Sequence, residues 1–171
     1  AVGLPLAYMG IRRVLPDGTV TARRGLGANV VFAAALSLAF FTADLFIPLA
    51  LTNLRGISSA LAGSVLTAGI IGWTAGAYAP DRLLKAGLSS GGIARLGSVL
   101  ILGGLAIIAA IVLTNLPILL AAAGWLVAGL GAGVGFTVNS VAVLDDPNGS
   151  IGSASSQMEL GNQAGVGIGT G

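Results

Sequence analysis

Two carboxylates, Asp44 and Glu159, are the residues of this sequence best placed to do chemistry, because each interrupts a long apolar stretch. A carboxylate at the middle of a bilayer costs on the order of 3 kcal/mol, which favours a position facing a cavity or a partner. Such a group can carry a proton or attract a cation. The alternative for Asp44 is an interfacial acid held by water or by a neighbouring helix. The alternative for Glu159 is a helix end that simply lies in water.

Each acid shares a helix face with other polar residues, and the face of Asp44 also contains a phenylalanine and a proline. At 1.5 Å per residue, Asp44 lies roughly 24 Å along a helix that starts near residue 28, and Glu159 roughly 12 Å along one that starts near residue 151. Steps of three and four residues place these side chains on two common faces: Ser37, Phe41, Asp44 and Pro48 on one, and Ser155, Ser156, Glu159, Asn162 and Gln163 on the other. Pro48 removes a backbone hydrogen bond, so we expect a kink at the outer end of its helix.

The composition excludes most soluble classes. Only 8% of the 171 residues are charged and 55% are hydrophobic, whereas about 25% of a typical soluble domain is charged. The chain has neither His nor Cys, which removes thiol nucleophiles, imidazole catalysis and the usual zinc sites. Basic residues are too few and too scattered for a nucleic-acid surface. We therefore expect an all-α, polytopic membrane protein that is not an enzyme, needs no cofactor and has the lipid bilayer as its surroundings.

Five apolar stretches are long enough to cross a bilayer as helices, at residues 28–52, 59–79, 96–114, 117–144 and 151–171. Twelve of the 14 charged residues lie outside them. Residues 28–171 thus form the predicted transmembrane bundle. Residues 1–27 are predicted to be the end of a preceding helix and a basic linker, and the whole chain an internal piece of a longer protein.

Lys and Arg residues in short loops indicate the cytoplasmic side. With residues 11–27 placed inside the cell, seven basic residues lie inside and only Arg55 lies outside. We therefore expect a multi-pass protein of the plasma or inner membrane, with the linker in the cytoplasm.

Small residues at four-residue spacing predict close contacts between the helices. They fall in three of the predicted spans: Ala68, Gly72 and Gly76; Gly129 and Gly133 with Gly131 and Gly135; and Gly161, Gly165 and Gly169 with Gly167 and Gly171. Such rows let helix backbones approach closely in a membrane. They are equally compatible with static packing and with helices that slide against each other.

Four places in the sequence, one of them made of two neighbouring segments, together resemble the C-terminal half of a major facilitator superfamily transporter of the drug:proton antiporter type. Residues 15–26 resemble the basic linker between the two halves of that family, and residues 43–51, with an acid shortly before a Pro-Leu pair, resemble its seventh helix. Residues 61–73 resemble its eighth helix, and residues 153–165 its Gly-rich eleventh helix. Residues 76–82 resemble a degenerate copy of its Gly-x-x-x-Asp-Arg loop, with Gly76 one residue too far from Asp81.

The resemblance implies a secondary transporter that exports small hydrophobic or amphiphilic compounds, coupled to protons, by alternating access. Its substrate path would lie between this half and a missing N-terminal half, near the midplane of the membrane. Residues expected along the substrate or proton pathway are Asp44, Thr67, Asn139, Glu159 and Gln163, and Asp81 with Arg82 would form a gating loop. Because the loop motif is degenerate, an exposed charged loop is the alternative for that pair.

The second function class is a membrane-spanning permease subunit of an ATP-driven transport complex. A helix in a cytoplasmic loop that contacts an ATPase would favour it, whereas the short Gly/Ser-rich loop at residues 80–95 argues against it. An intramembrane enzyme is the third class, and it would have to work with two isolated acids.

Overall fold

A computed structural model describes residues 25–114, 116–144 and 151–171. The predicted linker at residues 1–27 therefore lies almost wholly outside the described residues, as does the predicted cytoplasmic loop at residues 145–149. The described part is all-helical. Its six helices are α1 (Leu26–Arg55), α2 (Ser59–Ala77), α3 (Ala79–Lys85), α4 (Ser90–Leu113), α5 (Leu119–Leu144) and α6 (Ile151–Thr170).

Four stretches of helix in this part of the chain are long and apolar enough to cross a membrane: α1, α2 together with α3, α4 and α5. This confirms a helical membrane bundle at the level of its apolar helices. The predicted fifth span is a helix of 20 residues, but α6 is not among those four. The reason is its polar content, since Gln157, Glu159, Asn162 and Gln163 all lie on it.

The helix ends follow local sequence signals. The side chains of Ser58 and Ser89 accept hydrogen bonds from backbone amides in the first turns of α2 and α4, at N···O distances of 3.4 and 3.1 Å. α1 ends at Arg55 and is followed by Gly56, whose φ of 63° lies in the left-handed region. Glycine adopts this conformation with little strain because it has no Cβ. α1 continues through Pro48 to Arg55, so Pro48 does not end the helix.

α5 is the centre of the bundle and buries the largest share of its residues. It packs against α2 and α4 along glycine rows in which backbone meets backbone. A Cβ at Gly72 would meet the carbonyl oxygen of Leu126, and one at Gly129 would meet that of Gly69. On the other side of α5, a Cβ at Gly97 would lie 2.8 Å from the carbonyl oxygen of Gly131. The glycine rows predicted from α2 and α5 are thus helix interfaces.

α6 packs mainly against α1, again through glycine. A Cβ at Gly161 would lie 2.7 Å from the carbonyl oxygen of Val30, and one at Gly165 would meet that of Ala34. Because the contacts advance in the same direction on both helices, α1 and α6 run parallel. Gly167 has open space beside it, so its row does not form a contact within the described residues.

The C-terminal ends of α1 and α4 are joined by Arg55, which is the single basic residue expected outside the cell. Its guanidinium donates to the carbonyl oxygens of Ile111 and Thr114, and to that of Leu116 at 3.0 Å. Carbonyls at a helix C-terminus lack partners within their own helix, so this arginine caps α4 from outside.

Candidate functional site

A cavity of about 370 Å³ lies between α1, α2 and α5 and contains one of the two predicted intramembrane acids. Its wall is formed by Phe40, Phe41, Asp44, Leu66, Ile70, Trp73, Thr74 and Trp125. Four of these eight residues are aromatic and Asp44 is the one ionisable residue. Two further cavities, of about 330 and 180 Å³, have no ionisable residue in their walls. The Asp44 cavity is therefore the strongest candidate site in the described part of the chain.

The aromatic wall is a set of interlocking rings. Phe40 stacks on Trp125 with a centroid separation of 4.7 Å and meets Trp73 edge-on at 5.1 Å. Trp73 also stacks on Phe136 at 4.9 Å, and Phe41 contacts Trp73 at 6.0 Å. These separations lie within the range of favourable aromatic pairs. The rings of the wall therefore pack directly against one another.

Both tryptophans of the sequence line this cavity. Trp125 is fully buried, and its indole nitrogen has no hydrogen-bond partner among the described residues. A Cβ at Gly69 would collide with this nitrogen. Gly69 is thus the residue that leaves room for the indole.

Asp44 is half-buried at the cavity wall. No hydrogen bond or ion pair joins its carboxylate to another described residue. Pro48, four residues on, lacks the amide hydrogen that would donate to the backbone carbonyl of Asp44 in a regular helix. The cavity wall therefore contains a carboxylate that accepts no hydrogen bond from the described residues.

Thr74, rather than the predicted Thr67, contributes a hydroxyl to this wall. The Thr74 hydroxyl donates to the carbonyl oxygen of Ile70 at 3.0 Å. Thr67 is exposed, and its hydroxyl is 3.4 Å from the carbonyl oxygen of Gly63 in its own helix. The two threonines are seven residues apart on one face, so the spacing alone did not distinguish them.

Glu159 and Gln163 form a separate polar cluster on α6. Glu159 accepts hydrogen bonds from the Gln163 amide at 2.7 Å and the Asn162 amide at 3.5 Å. The Asn162 side-chain oxygen in turn accepts a hydrogen bond from the fully buried Ser37 hydroxyl at 3.1 Å. Glu159 and Gln163 are exposed on the bundle surface, and neither lines the Asp44 cavity.

Asn139 is buried at a third place, where α5 meets the first turn of α1. It is 3% exposed, and its amide donates to the carbonyl oxygen of Asn29 at 3.1 Å. Its side-chain oxygen has no partner among the described residues. The five pathway residues expected from the sequence are thus distributed over separate places, with Asp44 alone in the cavity wall.

The expected gating pair lies on α3. Asp81 forms an exposed ion pair with Lys85 at 2.7 Å, one helical turn away. An exposed ion pair of this kind contributes between about 0 and 1 kcal/mol. Arg82 is exposed, and it has no ion-pair partner in the described ranges.

Seven of the eight residues that line the cavity were not among the predicted site residues, and Asp44 is the exception. Phe40 directly precedes Phe41 and was hidden by the choice of a single face of α1. No cluster of three or more potential metal ligands of the His, Cys, Asp or Glu type occurs in the described ranges.

No family model matches the chain, and comparisons with curated proteins and with solved structures gave no significant match.

Proposed function

We propose that this chain is the C-terminal half of a secondary active transporter of the major facilitator type, which exports small hydrophobic or amphiphilic compounds in exchange for protons. The observation that carries the proposal is the Asp44 cavity, in which an unpartnered carboxylate faces aromatic rings inside a bundle of apolar helices. Intramembrane carboxylates are costly and are typical of substrate and proton pathways.

The helix directions support the same proposal. α1 and α6 run parallel, as do α2 and α5, as the contacts at Gly165 and Gly72 indicate. The two pairs run in opposite directions, because Asn29 and Phe40 of α1 lie against Asn139 and Trp125 of α5 in reverse order. Successive membrane crossings joined by short loops produce this alternation. In this proposal α6 is also a crossing, and the exposed side of Glu159 and Gln163 faces an aqueous path shared with the other half of the transporter.

The ATP-driven permease remains the alternative expected from the sequence. The structure has a seven-residue helix, α3, at the place where a coupling helix would have favoured it. However, Pro80 is buried, and Leu83 and Leu84 pack against Ile93, Val134 and Val138 of the bundle. A helix held against its own bundle offers less surface to an ATPase than one that projects from it, so this observation does not favour the alternative.

Transport by the full-length protein in sealed vesicles tests the proposal. We expect uptake or release of a lipophilic dye to depend on an imposed proton gradient. Asp44→Asn and Glu159→Gln should each alter the rate or its pH dependence, because each removes a titratable carboxylate. Asp81→Asn is the control, since it removes an exposed carboxylate of the same charge. If transport does not depend on the proton gradient and neither substitution alters it, the proposal of proton coupling through these acids is wrong.

A further inference from the structure

We infer that an anionic phospholipid binds along the seam between α1 and α4, with one acyl chain in an apolar furrow and its phosphate at Arg55. The inference needs the bundle of apolar helices but not the proposed transport function, and it goes beyond that function. Three features of the seam carry it: the apolar wall of the furrow, its opening on the bundle surface, and an arginine without a counter-ion at its end.

The furrow is a cavity of about 330 Å³ between the C-terminal halves of α1 and α4, and it shares no residue with the Asp44 cavity. Its wall runs from Ala43 to Ala50 on α1 and from Leu105 to Leu113 on α4, or about 11–12 Å along each helix. All nine side chains of the wall are apolar. A polar solute would find no hydrogen-bonding side chain here, whereas an alkyl chain needs only apolar contact.

The furrow opens on the surface of the described bundle. Phe46 and Leu113 are exposed, whereas Ile47 and Ile108 are buried, so the furrow has an open rim and a closed floor. Both helices are long and apolar enough to cross a membrane. The surface on which the furrow opens is therefore one that lipid tails contact in a bilayer.

Arg55 lies at the end of the furrow. Its guanidinium donates to the carbonyl oxygens of Ile111 and Thr114, and Thr114 directly follows the wall residue Leu113. A guanidinium has five N–H donors, and the carbonyl oxygens of Ile111, Thr114 and Leu116 accept three hydrogen bonds from Nη1 and Nη2. The Nε–H and one N–H of Nη2 have no acceptor among the described residues, and two such donors suit the paired oxygens of a phosphate.

The charge of Arg55 is not balanced by an acid in the described ranges. Asp44 lies 11 residues earlier on α1, about 16 Å along the helix. Asp81 pairs with Lys85 on α3, and Glu159 contacts side chains of α6. Anionic lipid headgroups attract basic residues at a membrane surface. A transmembrane helix placed in the furrow would cover its apolar wall but bring no phosphate to Arg55, whereas an anionic phospholipid supplies both parts.

Photoreactive lipids of two headgroup charges test the inference. Phosphatidylglycerol and phosphatidylcholine, with the same diazirine in the acyl chain, are each added to nanodiscs that contain the full-length protein in unlabelled phosphatidylcholine. After irradiation, mass spectrometry maps the cross-linked peptides. We expect the yield at residues 43–50 and 105–113 to be about fivefold higher for phosphatidylglycerol, as one arginine at a membrane surface provides.

Matched variants separate the headgroup from the chain. Arg55→Gln should abolish the excess of phosphatidylglycerol and leave the phosphatidylcholine yield unchanged, while Arg55→Lys should retain the excess. Arg95→Gln removes an exposed arginine elsewhere on α4 and should change neither yield. Ala109→Leu should lower the yield of both lipids, because the larger side chain occupies the furrow. Ala110→Leu is its control, since Ala110 is exposed on the same helix outside the furrow wall.

Three outcomes would overturn the inference. Equal yields for the two lipids, or equal losses of both with Arg55→Gln, would make Arg55 a purely structural cap of α4. The absence of either lipid from the furrow would mean that another segment or a second copy of the protein covers it. Displacement of phosphatidylglycerol by millimolar glycerol phosphate, which has no acyl chain, would indicate a phosphate site that does not use the furrow.

Discussion

Glycine at particular positions decides how closely the helices of this bundle approach. Gly129 of α5 lies against the backbone of α2, where a Cβ would meet the carbonyl oxygen of Gly69 and the amide of Trp73. Gly103 of α4 is also in mid-helix, but nothing lies within 4 Å of the place where its Cβ would be. Glycine is therefore needed for a close helix contact at position 129, whereas a larger residue would fit at position 103.

We therefore expect Gly129→Ala to destabilise the protein by about 1–3 kcal/mol, because a rigid backbone must move to admit the methyl group. Gly103→Ala should be neutral or stabilising by up to about 1 kcal/mol, because alanine has the higher helix propensity. Thermal unfolding of both variants in the same detergent checks the contrast. Equal effects of the two substitutions would mean that the α2–α5 contact is looser than described.

At the scale of helices, α6 is attached to the rest of the bundle mainly through α1. Its contacts are glycine rows and one polar link, the Ser37 hydroxyl donating to the Asn162 side-chain oxygen at 3.1 Å. Asn162 also contacts Glu159. The link therefore connects the buried face of α1 with the acid of α6.

A double-mutant cycle of Ser37→Ala and Asn162→Ala should give a coupling free energy of about 0.6 kcal/mol, within the range measured for hydrogen bonds between membrane helices. Ser98→Ala with Asn162→Ala is the matched control, because the Ser98 hydroxyl donates to Ala94 of its own helix. That pair should be additive. The measurement is reversible unfolding in mixed micelles. If the effects of Ser37→Ala and Asn162→Ala are also additive, the Ser37–Asn162 hydrogen bond does not stabilise the contact between α1 and α6.

Apolar length was enough to predict the helices closely. The expected spans 59–79 and 117–144 became α2 (Ser59–Ala77) and α5 (Leu119–Leu144), and the glycine rows on them became interfaces. The start of α4 was placed six residues too late, because Gly91, Gly92 and Arg95 were taken as loop although the Ser89 cap begins the helix there. The helix break at Tyr78 and the separate helix α3 were not predicted from the sequence.

The site was less predictable than the helices. The apolar stretches placed Asp44 and Thr67 on the correct helices, but they contain no information on the level at which two helices diverge to leave a cavity. Thr74 lies at that level and Thr67 does not. Asn139 and Glu159 were grouped with Asp44 by a resemblance, whereas the structure gives each its own surroundings.

At the scale of the whole molecule, charge is distributed unequally between the two ends of the bundle. Arg82, Lys85 and Arg95 lie at the end formed by α3 and the start of α4, whereas Arg55 lies at the opposite end and caps α4. Because basic residues of short loops stay in the cytoplasm, the first end is expected inside the cell and the Arg55 end outside.

Two serines give a matched test of this orientation. Ser59 and Ser90 are each exposed, and each is the first residue of a helix that follows a serine cap. The chain has no cysteine of its own. We expect a membrane-impermeant maleimide to label Ser59→Cys on intact cells and to label Ser90→Cys only after permeabilisation. The 19 residues of α2 give about 28 Å of helix between the two ends, close to the bilayer thickness of about 30 Å. Labelling of Ser90→Cys from outside would reverse the orientation, and labelling of both on intact cells would contradict the crossing by α2 and α3.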